Sequence, residues 1–256
     1  MNTSFDNLNL EISGDGVARL ELSRPKSLNS LNDQLRSELF EAFQLMEDRR
    51  VRVVTLWGEG KAFCAGADVS EFLEIEPSRY SQFMGDFFEL PEKFPAPTVA
   101  IIDGYALGGG LELAMACDLR IATTRSRLGQ PEIGLGLIPG GGGTQRLTRL
   151  IGMGRAKELV MTGKQISGEK AEEWGLVNKI VEEGELEDAV KDFVEPLVKG
   201  PRKSLQMAKK VINQGASSNL QVGLEIEKQG FSTLLGSEEA REGIDAFLND
   251  REPDFD

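Results

Sequence analysis

The stretch GYALGGGLELAMACDL, residues Gly104 to Leu119, decides how the chain folds and what it does. Three consecutive glycines, Gly108 to Gly110, open a run with helical character. From Leu111 to Cys117 that run is apolar except for Glu112, the one charge between Asp103 and Asp118. A carboxylate is costly to bury unless it is bonded or functional. Two readings compete. The glycines cradle a phosphate and Glu112 is incidental, or they present bare backbone N–H groups to a substrate and Glu112 carries the chemistry.

A dinucleotide fingerprint requires G-x-G-x-x-G after the first strand of the core, with an acid about 20 residues later. Here the glycines are contiguous, Glu112 stands where close packing wants a glycine, and the preceding apolar segment Pro97–Asp103 is a later strand. No G-x-x-x-x-G-K-[ST] occurs. The alternative reading is an oxyanion site. Backbone N–H groups at a helix start are pre-aimed at developing charge and are helped by the helix dipole. Gly109 supplies one candidate donor. The small-residue loop Cys64-Ala65-Gly66-Ala67 supplies the other. A second acid in a similar setting, Glu132, lies in GQPEIGLGLIPGGGGTQRL (129–147), where seven of 19 residues are glycine. Its bland role is to cap a turn. Its sharper role is to pair with Glu112, since neighbouring carboxylates repel and split acid from base.

Composition narrows the chemistry. The 256 residues contain no histidine, which excludes a Ser-His-Asp triad, a Cys-His pair and an HExxH zinc site. Acid–base work falls to carboxylates, lysine, tyrosine or cysteine. Two cysteines, Cys64 and Cys117, are too few for a disulfide framework and are expected to be reduced and buried, in a cytoplasmic setting. The net charge of −13 argues against nucleic acid as a partner. Arg202-Lys203 and Lys209-Lys210, the densest basic cluster, read as the wet face of a helix. No apolar run is long enough for a membrane span. The first residues have neither a basic start nor an apolar run, so no signal peptide is expected.

Patterning along the chain predicts an α/β core. Strands are expected at Val17–Ser23, Val51–Trp57, Pro97–Asp103, Leu119–Thr123 and Leu176–Val181. Leu35, Leu39, Phe43 and Met46 mark an amphipathic helix from about Asn32 to Met46. A further helix is expected over Arg79–Leu90. Short helices follow from Thr144 to Gly175. From about Glu185 the pattern is helical to the end, with breaks at Gly200-Pro201 and Gly215. No internal repeat is visible.

Three segments, K-A-F-C-A-G-A-D (61–68), the opening stretch (104–118) and Q-P-E-I-G-L-G-L-I-P-G-G-G-G-T-Q-R-L (130–147), together resemble the enoyl-CoA hydratase (crotonase) family. R-A-K-E-L-V-M-T-G (155–163), A-E-E-W-G-L-V (171–177) and R-E-G-I-D-A-F (241–247) extend the likeness over nearly the whole chain. The resemblance implies a spiral of ββα units over 1–195 carrying an acyl-CoA site. A helical C-terminal region over 196–256 would build homotrimers or homohexamers. It implies a thioester carbonyl held by the N–H groups of Ala67 and Gly109, and a water held by Glu112 and Glu132. It implies substrate contacts from Lys26 and Leu28 near the CoA adenine, from Ala65, Asp68, Val69 and Ser70 in the substrate loop, and from Gly140 in the run to Gly143. Gln130 would back the pair, and Phe231 would line a neighbour's acyl pocket. Residues near Tyr80–Phe88, together with the neighbouring subunit, would set pocket width. No metal and no cofactor are implied; CoA belongs to the substrate. The chemistry implied is hydration of a 2-enoyl-CoA, of the β-oxidation type used in fatty-acid metabolism. The alternatives are an enoyl-CoA isomerase, which commonly works with one acid, or another acyl-CoA enzyme of the same fold, and a non-catalytic binding protein. One departure stands out: relatives often carry a lysine near Asn249–Glu252, where this chain reads N-D-R-E.

Overall fold

The computed structural model describes residues 3–47, 49–73, 76, 78 and 86–255. Its strands are β1 (Thr3–Ser4), β2 (Leu8–Ile12), β3 (Val17–Leu22), β4 (Val53–Gly58), β5 (Ala62–Cys64), β6 (Thr98–Ile102), β7 (Tyr105–Leu107), β8 (Leu119–Thr123), β9 (Arg127–Gly129), β10 (Gln165–Ser167) and β11 (Lys179–Val181). They form two sheets. The larger runs β1-β2-β3-β4-β6-β8-β11, and the smaller runs β10-β9-β7-β5. From β3 to β11 the larger sheet is parallel, as are β5, β7 and β9 in the smaller one.

This order is a spiral. Each pair β4/β5, β6/β7 and β8/β9 places its first strand in the large sheet and its second in the small one. The chain then moves on to the next turn; after β7 it does so through the helix Gly109–Ala116. The repeat lies in the hydrogen-bonding pattern and not in residue identity, which is why the sequence shows none. The central parallel strands β4, β6 and β8 are buried along nearly their whole length, and β6, Thr98–Ile102, is buried at every residue. The short strands β5, β7 and β9 are not among the strands expected from patterning, because three residues carry too little periodicity to register.

The helix Asp33–Glu47 buries Leu35, Leu39, Phe43 and Met46, the expected stripe. Asn32 caps it, its side chain accepting from the Leu35 N–H at 3.0 Å. The segment of the expected Arg79–Leu90 helix up to residue 85 lies outside the described residues, and with it Tyr80; a helical turn covers Leu90–Lys93.

The boundary expected at 195/196 falls inside a continuous helix, Leu186–Lys199. Val190 and Val194 of that helix pack with Val53, Val99 and Ile121 of the large sheet, so it belongs to the core. The break comes at Gly200-Pro201. Beyond it the helices Arg202–Ala216, Leu220–Leu235 and Glu238–Leu248 leave Ile212, Leu220, Phe231, Phe247 and Leu248 exposed.

Lys209 corrects the reading of its cluster as a wet helix face. Its side chain is 7% exposed, and its Nζ donates to Pro91 O at 2.7 Å and Ala96 O at 3.1 Å while lying 2.8 Å from Asp118 Oδ2. Asp118 also accepts from the Thr98 N–H and hydroxyl. The ammonium is buried because it meets a full set of acceptors, and it ties the tail to the segment just after the helix Gly109–Ala116. Lys209→Ala should destabilise the protein by roughly 3 kcal/mol, because Asp118 would lose its cation in a partly buried site. The urea midpoint reads this directly; an unchanged midpoint would remove the contact from the account.

Candidate active site

The site is built where the small sheet meets the helix Gly109–Ala116. Gly110 is obligatory there: a Cβ would lie 2.0 Å from the Cys64 carbonyl oxygen. The helix therefore seats directly on the end of β5 and brings its first turn against the 65–67 loop. Leu31 fastens that loop from the other side, its N–H donating to Gly66 O at 2.8 Å and its carbonyl accepting from Asp68 at 3.1 Å. Ala65 donates to Leu28 O at 2.9 Å. Among the described residues, neither the Ala67 nor the Gly109 N–H is given to an acceptor. A Cβ on Gly109 would stand 3.3 Å from Ala67 N, so the two donors are neighbours at the helix N-terminus.

Glu112 is 3% exposed, one turn into the helix. Its Oε1 accepts from Gly141 N at 2.8 Å and Gly143 N at 2.7 Å. Oε2 accepts no hydrogen bond among the described residues. The donor loop depends on Gly142, whose φ is +103° and where a Cβ would lie 2.3 Å from Arg146 Nη1. Burial raises the Glu112 proton affinity, opposed by those two N–H donors and by Arg146; the net direction is up.

Glu132 reaches the same place from the 3-10 turn Pro131–Leu135. Its Oε1 lies against Gly108, 2.9 Å from where a Cβ would be. Desolvation, with the charge of Glu112 adding to it, pushes its pKa up to about 7. Gln130 is wholly buried behind it, and with its amide nitrogen turned toward the acid donates to Oε1 at 2.9 Å and Oε2 at 3.2 Å.

These groups share one cleft of about 630 Å³. Ala65, Ala67, Val69, Gly109, Glu112, Glu132 and Gly140 all line it. Lys26, Leu28, Asp68 and Ser70 do not. Asp68 accepts from the Ser70 hydroxyl at 2.7 Å and pairs with Arg24 at 3.4 Å, bracing its own loop. Lys26 and Leu28 lie in the exposed turn whose carbonyl holds Ala65. Near the departure at 249–252, Arg251 is held by Glu242 at 2.6 Å and Asp245 at 2.7 Å.

Among the residues that sequence reasoning missed are Phe72, Leu135, Leu137 and Ile138, which form the apolar wall of the cleft. For Leu135, Leu137 and Ile138 the signal was available: apolar residues in a glycine-rich loop have no helix or strand stripe to serve. Leu135 is 59% and Ile138 67% exposed, as befits a binding wall rather than a core. Asn29 was missed too. It is buried at a positive φ of 57° and ties the Arg24–Leu31 turn to Ala62 O at 2.8 Å.

A buried acid, a half-buried acid and two free N–H donors in one apolar cleft form the arrangement expected of thioester chemistry. The family model of enoyl-CoA hydratase/isomerase matches residues 13–256. The chain belongs to this family. It is 39% identical over 252 residues to a short-chain-enoyl-CoA hydratase of Clostridium acetobutylicum, covering 96% of each chain. It is 36% identical over 257 residues to a crotonyl-CoA hydratase of Syntrophomonas wolfei, covering 98% of each. The crystal structure of an enoyl-CoA hydratase from Bacillus anthracis superimposes with a TM-score of 0.92 at 38% identity, over 97% of this chain and 98% of that one.

Proposed function

We propose that the protein adds water across the 2,3 double bond of a 2-enoyl-CoA thioester to give a 3-hydroxyacyl-CoA. The observation that carries this reading is the pair Glu112 and Glu132 facing one cleft beside the N–H groups of Ala67 and Gly109, which have no acceptor among the described residues. The thioester carbonyl accepts from both N–H groups, which draws electron density from C3. Glu112, its Oε1 fixed by Gly141 and Gly143, presents Oε2 to a water. That water loses a proton to Glu112 as its oxygen bonds to C3. The enolate formed at the thioester collapses as C2 takes a proton from Glu132. The pair then holds the same number of protons as at the start, moved from one acid to the other, and proton exchange resets it. The reading calls for no cofactor beyond the CoA on the substrate. Two acids in the cleft favour hydration over double-bond isomerisation.

The wall of Val69, Phe72, Leu135, Leu137 and Ile138 suits an aliphatic acyl group, and the names of the relatives point to a short one. β-Oxidation-type acyl-CoA breakdown is the proposed setting, with the two buried free thiols fitting a reducing cytoplasm. The exposed apolar side chains of the C-terminal helices support association into trimers or stacked trimers. The direct test follows the conjugated thioester's ultraviolet absorbance in crotonyl-CoA. Rapid loss with the wild type and none with Glu112→Ala is expected; no loss with the wild type, despite tight binding of the ester, would overturn hydration of a short chain.

The shared proton also sets the pH dependence. Enoyl and hydroxyacyl esters interconvert without net proton uptake, so kcat/KM must follow one pH profile in both directions. Both directions need one proton on the pair. With Glu132 pushed up to about 7, both rates should fall as pH rises through about 7. Both should fall again in acid as Glu112 takes up a second proton. Profiles for crotonyl-CoA hydration and 3-hydroxybutyryl-CoA dehydration check this. A flat response across neutrality would remove the shared proton.

A further inference from the structure

Arg146 lies behind the glycine loop, on the helix Gly143–Ile151, and is absent from the lining of the catalytic cleft. Its Nη1 donates to Gly141 O at 2.9 Å. Its Nε and Nη2 donate to Glu92 Oε2 at 3.1 and 2.7 Å, on the turn Leu90–Lys93. Gly141 thus has its carbonyl taken by Arg146 and its N–H given to Glu112. One residue, through its two flanking peptides, connects the guanidinium to the carboxylate. Gly142, the residue that lets Arg146 reach that carbonyl, also places Gly143 N on the same Glu112 oxygen. We propose that Arg146 is a positioning residue for the hydration: anchored by Glu92, it holds the Gly141–Gly143 backbone so that Glu112 offers one oxygen to the loop and the other to the reacting water.

A surface role is the simpler alternative, since partly exposed ion pairs contribute little to stability. Two features set this pair apart. The Arg146 side chain is 19% exposed and uses three separate N–H groups, one of them on a backbone carbonyl of the site. Arg146 is also the one cation that acts on Glu112 among the described residues, favouring its ionised form. The charged groups around Glu112 are therefore Arg146 from the helix Gly143–Ile151, Glu132 from the turn Pro131–Leu135, and Glu92 behind Arg146. Removing the cation leaves Glu112 facing acids alone.

The proposal rests on Glu112 being one of the reacting acids, and the experiment separates the two claims. Crotonyl-CoA hydration is measured for the wild type, Arg146→Gln, Arg146→Lys, Glu92→Gln and Glu112→Gln, with binding of 3-hydroxybutyryl-CoA by each as the reference. Arg146→Gln is expected to lower kcat between about ten- and a hundredfold, the scale of a misplaced catalytic group. KM and ester binding should stay near wild type, and the acid limb of kcat/KM should move to higher pH. Arg146→Lys keeps the charge without the fork, so its acid limb should stay in place while kcat recovers only in part. Glu92→Gln should lower kcat in the same direction by less. A merely structural role would lower the melting temperature without moving the acid limb. If Glu112→Gln is inactive and folded Arg146→Gln keeps the wild-type kcat and acid limb, the positioning role is wrong while the glutamate pair stands. If Arg146→Gln does not fold, wild-type kcat in both Arg146→Lys and Glu92→Gln overturns the role. If Glu112→Gln retains full rate, the reading of the pair fails and the role of Arg146 fails with it.

Discussion

Replacing Glu132 by glutamine is expected to lower the hydration rate by about a hundredfold or more, with binding of CoA esters nearly unchanged. The amide keeps the shape of the side chain and can still meet Gln130, but it has no proton to give to C2 at neutral pH. Glu132 is suited to that task because burial and the nearby Glu112 carry its pKa to about 7. The effect should therefore fall on kcat, since the thioester carbonyl is held elsewhere, at Ala67 and Gly109. The loss should also remove the alkaline limb of the pH profile, because the group that titrates there is gone. Steady-state rates with product-ester binding in parallel decide it. Wild-type rates in the variant would exclude Glu132 from the reaction.

Gly109→Pro should have an effect of similar size by a different route. Gly109 is the first residue of its helix, where proline's fixed φ is tolerated and its missing N–H breaks no helical bond. A Cβ there would meet Ala67 N at 3.3 Å, Phe88 Cζ at 3.4 Å and Leu31 Cδ1 at 3.5 Å, a tight fit that needs only small adjustments. The substitution thus deletes one donor from the proposed oxyanion site. Losing such a donor typically costs about 3 kcal/mol of barrier, more than a hundredfold in rate. Circular dichroism and the melting temperature establish that the variant folds, and crotonyl-CoA turnover gives the rate. A folded, fully active Gly109→Pro would show that the carbonyl is not held there.

The parts of this protein that were legible in the sequence share a physical basis. Glu112 stood out because a charge inside an apolar helix is expensive wherever that helix packs. Pro97–Asp103 read as a strand because a central parallel strand covered on both faces needs a largely apolar run. The stripe Leu35, Leu39, Phe43 and Met46 read as a helix face because its period is local. What was not legible depended on contacts distant in the chain. β5, β7 and β9 are three residues each and exist through pairing with one another. Lys209 looked like a solvated lysine until Pro91, Ala96 and Asp118 were brought to it. Arg146 carried no signal in the sequence, because Glu92 and the Gly141 carbonyl reach it only in the folded chain.

The sequence by itself determined the kinds of groups available: carboxylates without histidine, glycines where backbones must approach, and a family likeness carried by three motifs in order. Those follow from composition and from local steric cost, which do not depend on where the chain goes next. Only the tertiary structure decided which of these groups are left free to react. Among the described residues Ala67 and Gly109 keep unpaired N–H groups, and the helix Gly109–Ala116, seated on β5 through Gly110, brings them side by side. Glu112 has one oxygen bound because Gly141 and Gly143 fold back over it from 29 and 31 residues away, and the other is open among the described residues. Glu132 gains its proton affinity from the cleft that closes around it. Free valences and local dielectric are properties of packing, and packing is settled between segments rather than within them.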